Sequence, residues 1–274
     1  MSESLNIKRN LERLSLRDLS QRREALGGVL LSEKIKFSRE EDNGVVNFVF
    51  SSDGGNSQIF LFAAHYDNHR DSPGANDNMA AICILIDLYH ELTQRKIRAG
   101  FLLTDGEEDG HSGAEFFARS HDVKKYAGII NLDLCGYGDV IVINGKIKKF
   151  TDREILKRHN AEAVRYLPES DDIVFRKCHV PVISVAIVPK WDVQYLRALA
   201  SFGDGLLGRP PEFYMILSQM EITQTFHNGS KDSPEFVDEA AMKKVYDFIL
   251  DAITRNENKK FPTRPRIFIF QARH

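Results

Sequence analysis

Five short stretches of this chain concentrate side chains that can hold a metal ion or move a proton. The first is Ala64-His65-Tyr66-Asp67, which closes an apolar run over residues 59–64. In extended backbone, residues two apart face the same way, so Asp67 can hold one imidazole nitrogen of His65 and aim the other. The second is Pro73-Gly74-Ala75-Asn76-Asp77-Asn78, a turn that leads into an apolar helical pattern. Asp77 or Asn78 would serve there as a helix cap. The preceding His69, Arg70 and Asp71, however, make this a dense polar segment between two apolar ones, and polar groups at that depth need partners such as a cation. The third is Thr104-Asp105-Gly106-Glu107-Glu108-Asp109-Gly110, a carboxylate cluster following the apolar run that ends at Leu103. It is harmless on an exposed loop, but near the interior it demands a compensating cation. Neighbouring carboxylates in a tight turn point differently, so one can bind metal while the other acts as a base. In the fourth, Asn131-Leu132-Asp133-Leu134, a carboxylate lies amid Ile129, Ile130, Leu132 and Leu134, where it must be neutral, hydrogen-bonded or bound to a cation. The fifth, Phe226-His227-Asn228, offers a histidine that proves nothing alone. Nitrogen and oxygen donors without thiolate suit Zn²⁺, with Mn²⁺ or Co²⁺ as alternatives.

The elements that must bring these stretches together are legible as periodicities. Short β-branched and apolar runs at 45–50, 59–64, 99–103, 128–134, 140–143 and 182–188 read as strands. Longer helical patterns cover 78–95, 113–119, 152–166 and 234–255, and strand alternating with helix predicts an α/β sheet flanked by helices. In 78–95 the apolar residues Met79, Ile82, Cys83, Leu85, Ile86, Tyr89 and Leu92 cover most of the circumference, so the helix is expected to be buried, with its first turn deep. Open α/β sheets bind ligands beyond the carboxyl ends of their strands, where these residues could converge. No repeat or long linker divides the chain. One catalytic domain over 1–274 is expected, with a helical extension at 1–30 and a lid-like insertion at 189–225 that carries its own packing material in Trp191, Tyr195, Phe202, Phe213 and Tyr214.

Composition narrows the partners. The 37 basic and 39 acidic residues nearly cancel and are interleaved, so nothing steers nucleic acid or an anionic membrane, and a small or peptidic substrate is expected. Cys83, Cys135 and Cys178 are odd in number and lie in apolar surroundings, which suits reduced thiols. The charged N-terminal stretch lacks the apolar segment of a secretion signal, and a cytoplasmic protein is the expectation.

Taken in order, His65-Tyr66-Asp67, Gly74-Ala75-Asn76-Asp77-Asn78, Asp105-Gly106-Glu107-Glu108, Asn131-Leu132-Asp133, Ser170-Asp171 and Phe226-His227 resemble the motif series of the co-catalytic di-zinc aminopeptidases, metallopeptidase family twenty-eight, which has glutaminyl cyclase-like relatives. The match runs over residues 59–252. The resemblance implies a three-layer αβα fold around a mostly parallel mixed sheet. It implies that Asp77 bridges two zinc ions, that His65 and Asp133 bind one and Glu108 and His227 the other, and that Glu107 is the general base. Asp67 would then support His65, and Asp171 would be an acid near the site. The activity implied is hydrolysis of peptide bonds by a zinc-dependent exopeptidase acting on a peptide or aminoacyl substrate. Two relatives of the fold offer alternatives: a glutaminyl-peptide cyclotransferase with a single zinc, and a non-catalytic binding domain. The chain departs from the family in having Asp171-Asp172 where Asp-His is usual and Ala81 where Gly is usual; neither change removes a ligand.

Overall fold

The structure is a computed structural model, and it describes residues 6–52, 59–202, 208–227 and 229–260. Val, Ile, Leu and Phe dominate the inner strands of an eight-stranded mixed sheet, as expected of strands buried on both faces, while the two edge strands are polar and partly exposed. The strands are β1 (Phe37–Asp42), β2 (Val45–Ser51), β3 (Phe60–His65), β4 (Ala99–Thr104), β5 (Gly128–Leu132), β6 (Val140–Gly145), β7 (Glu162–Ala163) and β8 (Val182–Val188). Their spatial order is β1-β2-β4-β3-β5-β8-β6-β7. Pairings β3/β4, β3/β5, β5/β8 and β6/β7 are parallel, and β1/β2, β2/β4 and β6/β8 are antiparallel.

The helices are α1 (Leu11–Leu14), α2 (Leu19–Ser32), α3 (Ala80–Gln94), α4 (Ser112–Ser120), α5 (Arg153–Arg158), α6 (Asp172–Lys177), α7 (Asp192–Leu199), α8 (Pro211–Leu217) and α9 (Glu239–Lys260). Alternate residues of each strand serve different layers. In β3, Phe60, Phe62 and Ala64 pack with α2, α3 and α9, whereas Leu61 and Ala63 pack with Phe117 of α4 and Phe175 of α6. A third cluster joins Val140, Val142, Ala186 and Val188 to Leu196, Leu199 and Phe213 of α7 and α8. The result is a three-layer αβα fold. α3 is buried almost throughout its length, as its all-round apolar pattern requires. Among the described residues, no helix is long and apolar enough to cross a membrane.

Three elements differ from the pattern reading. The helix expected over 152–166 stops at Arg158. Asn160 takes a left-handed φ of 50, the Ala161 amide bonds back to the Leu156 carbonyl, and the chain leaves as the short edge strand β7. β1 was hidden by its polar sequence, yet Asn43-Gly44, both at positive φ, fold it onto β2 as a tight hairpin. The 189–225 stretch, apart from residues 203–207 outside the described part, is largely helical, with Leu196, Phe213, Met220 and Ile222 buried.

Parallel β3, β4 and β5 end side by side. His65 is the last residue of β3 and pairs with Thr104, the last residue of β4.

Candidate metal centre

His65 is buried where β3 ends. Its Nδ1 lies 3.3 Å from Asp67 Oδ1, and its Nε2 lies 3.2 Å from Asp77 Oδ1 and 3.8 Å from Asp133 Oδ1. Burial alone would lower its pKa, but Glu107 and the carboxylates of Asp133, Asp67 and Asp77 hold it well above the ordinary imidazole value. Asp67 is shared, because its Oδ2 accepts the amide of Glu108 at 3.1 Å.

Asp77 sits in the tight turn Ala75–Met79 that precedes α3. Asp232 holds that turn from outside, its carboxylate accepting the amides of Asn76 at 2.8 Å and Asp77 at 3.2 Å and the hydroxyl of Ser72. Asn78 ties the turn to β5 by donating to the Leu132 carbonyl at 2.8 Å. From below, the fully buried Arg22 of α2 donates to the carbonyls of Tyr66 and Pro73. Burial lowers the Arg22 guanidinium to about 10 against the pull of Asp232, Asp67, Asp77 and Glu108. Gly74 has φ 56, and a Cβ there would fall 2.7 Å from Arg22 Nη1, so both conformation and space require glycine.

Glu107 and Glu108 lie in the turn after β4. Burial, with Asp133, Asp171 and Asp77 adding to it against His65, pushes Glu107 up to about 9; burial and Asp77 push Glu108 up to about 8. Asp133 follows β5, its amide bonded to the Val185 carbonyl, and its carboxyl is likewise raised by burial. His227, at φ 52, donates its amide to Asp77 Oδ2 at 3.1 Å and places Nε2 3.7 Å from Glu108 Oε2; its ring is mostly exposed.

Two groups of donor atoms therefore form, His65 with Glu107 and Asp133, and His65 with Asp77 and Glu108, each with its atoms within 4.8 Å of one another. His65 Nε2, Glu108 Oε1 and Asp133 Oδ1 are buried without a hydrogen bond, as are His65 Nδ1 and Asp67 Oδ1, which face each other at 3.3 Å. Orphaned acceptors packed this closely, with no thiol among them, fit a divalent zinc site. His227 stands outside both groups, its backbone amide bonding Asp77 Oδ2 and its Nε2 lying 3.7 Å from Glu108 Oε2, while Asn228 lies outside the described residues.

Asp171 is fully buried at the rim, with Oδ2 accepting the Thr104 hydroxyl at 2.5 Å and Oδ1 lying 3.4 Å from His111 Nδ1. His111 escapes motif reading. Its only signal in sequence is the four-residue step from Glu107 within a Gly-rich turn. Arg22 and Asp232 escape it as well, because they lie far along the chain from the loop they hold. Above the donors opens a cleft of about 310 Å³, walled by Tyr166, Arg209, Phe213, Tyr214, Leu217 and Phe226.

The model of peptidase family M28 matches residues 47–253. No curated protein matches significantly. Among solved structures, a zinc aminopeptidase from Bacillus subtilis is 16% identical, with 77% of this chain and 50% of that one aligned and a TM-score of 0.57. The LapA aminopeptidase of Legionella pneumophila is 14% identical, aligned over 90% of this chain and 70% of that one, with a TM-score of 0.64. The glutaminyl cyclase of Porphyromonas gingivalis is 14% identical, aligned over 91% and 96%, with a TM-score of 0.64. The chain thus spans about half the length of the Bacillus subtilis enzyme, and nearly the whole of the cyclase.

Proposed function

The chain belongs to peptidase family M28, and on that premise we propose that it is a zinc-dependent exopeptidase of the aminopeptidase type. The observation that carries the proposal is the gathering of His65, Asp77, Glu108 and Asp133 at the floor of one cleft, with several of their buried donor atoms lacking any partner. His65, Asp77, Glu108 and Asp133, with His227 at the edge, would hold zinc, which would supply Lewis-acid polarisation of a carbonyl and lower the pKa of water. Asp77 would be a ligand through Oδ1, which lies 3.2 Å from His65 Nε2, while its Oδ2 is fixed by the His227 amide. Asp67 orients His65 through Nδ1 and, by accepting the Glu108 amide, ties the two ligand-bearing loops together. Glu107, beside His65 and Asp133 in the donor cluster, would take a proton from the attacking water and pass it to the leaving amine. A peptide or aminoacyl substrate lies in the cleft against Phe213, Tyr214 and Phe226.

The test is Glu107→Gln assayed on leucyl p-nitroanilide. It keeps its zinc and its fold and loses at least about 100-fold in kcat. Activity within about tenfold of wild type removes Glu107 from the role of base.

A second reading, a glutaminyl-peptide cyclotransferase with one zinc per chain, draws support from the near-complete length match to the bacterial cyclases and from the sharing of one His65 imidazole by both donor groups. Zinc per chain, together with a glutaminyl peptide set against the anilide, separates the two. Two ions and anilide hydrolysis support the exopeptidase, and one ion with cyclisation supports the alternative.

A further inference from the structure

The turn carrying Glu107 closes on itself, the amides of Gly110 and His111 both donating to the Glu107 carbonyl at 3.1 Å. His111 closes it in a left-handed conformation, φ 64, which is uncommon for a residue with a side chain. It occupies the N-cap of α4, where a side chain commonly bonds a free helix amide, yet it makes no such bond. Its ring instead swings back across the turn, with Nδ1 3.6 Å from Glu107 Oε1 and 3.4 Å from Asp171 Oδ1.

Neither His111 Nδ1 nor Asp171 Oδ1 makes a hydrogen bond, although both are buried. Asp171 is anchored from the sheet by the Thr104 hydroxyl on Oδ2, so its free oxygen is aimed at the ring. A bare Nδ1 would set its lone pair against two carboxylate oxygens; a protonated Nδ1, present in the imidazolium and in one neutral tautomer, is attracted to both. The array runs from the end of β4 through Asp171 and His111 to Glu107.

We propose that His111 is a positioning residue for Glu107, its ring lying between the Glu107 and Asp171 carboxylates and drawing the former over the donor cluster by electrostatic attraction, while Thr104 fixes Asp171. The role rests on the reading of Glu107 as the base. Removing the ring leaves Glu107 free to turn toward solvent, which affects the proton-transfer step more than substrate binding.

The experiment compares His111→Leu, His111→Asn and Glu107→Gln on leucyl p-nitroanilide, with zinc content measured for each. His111→Leu is expected to lower kcat by about 10- to 100-fold, with KM within about twofold and zinc unchanged. Asn tolerates left-handed backbone and carries an N–H donor on its short amide, so His111→Asn is expected to recover much of that loss. In ¹⁵N-histidine NMR of the zinc-loaded protein, His111 Nδ1 should carry a proton, and Glu107→Gln should shift its signal. If His111→Leu keeps kcat within about twofold of wild type while Glu107→Gln is inactive, the His111 role falls and the base remains. If Glu107→Gln stays active, both fall.

Discussion

Glu107, Glu108, Asp133 and His65 crowd together out of water, and the metal-free site must carry protons to tolerate this. Glu107 titrates near about 9 and Glu108 near about 8, each from an ordinary 4.5, and the His65 pKa is raised too. The sign follows directly. Between about 4.5 and these raised values the unfolded chain has released its carboxyl protons and the folded chain has not, so folding takes up protons and stability falls as pH rises; His65 adds in the same direction. Chelator-treated protein is therefore expected to show a thermal midpoint that falls steadily from about pH 5 to about pH 9, whereas zinc-loaded protein shows a flatter profile. A midpoint rising over that range would contradict the assignment. Asp67 makes a second residue-scale prediction. Asp67→Asn keeps the shape of the side chain but weakens its hold on His65 and on the Glu108 amide, and zinc affinity in a chelator competition is expected to drop by about 10- to 100-fold without unfolding.

At the scale of elements, the site depends on one tight turn being held from three sides, by Arg22 of α2, by Asp232 and by β5 through Asn78. Gly74→Ala would force a Cβ into Arg22 and onto a left-handed backbone, at a cost of about 2 kcal/mol together with weakened zinc binding. Gly44→Ala, also at positive φ but with nothing within 4 Å, is expected to cost about 1 kcal/mol and leave zinc binding alone. Calorimetric midpoints and zinc titration of the two variants check the contrast. The strands that end at the site were legible in sequence, since β3, β4 and β5 are short, buried on both faces and therefore continuously apolar. The His65-x-Asp67 step and the Glu107-Glu108 pair were legible for the same reason, being polar groups where such strands stop. What escaped reading was held by long-range or conformational facts. α5 looks longer in sequence because its apolar spacing continues past Asn160, where backbone turns left-handed. Arg22 reads as one charge among many on the N-terminal helix until that helix packs beneath the loop.

At the scale of the molecule, the sheet brings strand ends together and the layers close around them, but the cleft is completed by the segment joining β8 to α9. Phe213, Tyr214 and Leu217 of α8 form one wall and His227 lies at its foot. Tyr214 is more than half exposed, so Tyr214→Ala is expected to leave the thermal midpoint within about 1 °C and to raise KM several-fold with little change in kcat. Unchanged KM and kcat would show that this wall does not contact substrate. The account as a whole stands on the gathering of donors from the ends of β3, β4 and β5 and from the turn before α3 as a site for divalent ions. Anomalous diffraction at the zinc edge from zinc-loaded crystals measures this directly. Density is expected among His65, Asp77, Glu108 and Asp133, with a second centre toward His227 in the exopeptidase reading. Zinc scattering elsewhere on the chain, with none among those four residues, would contradict it.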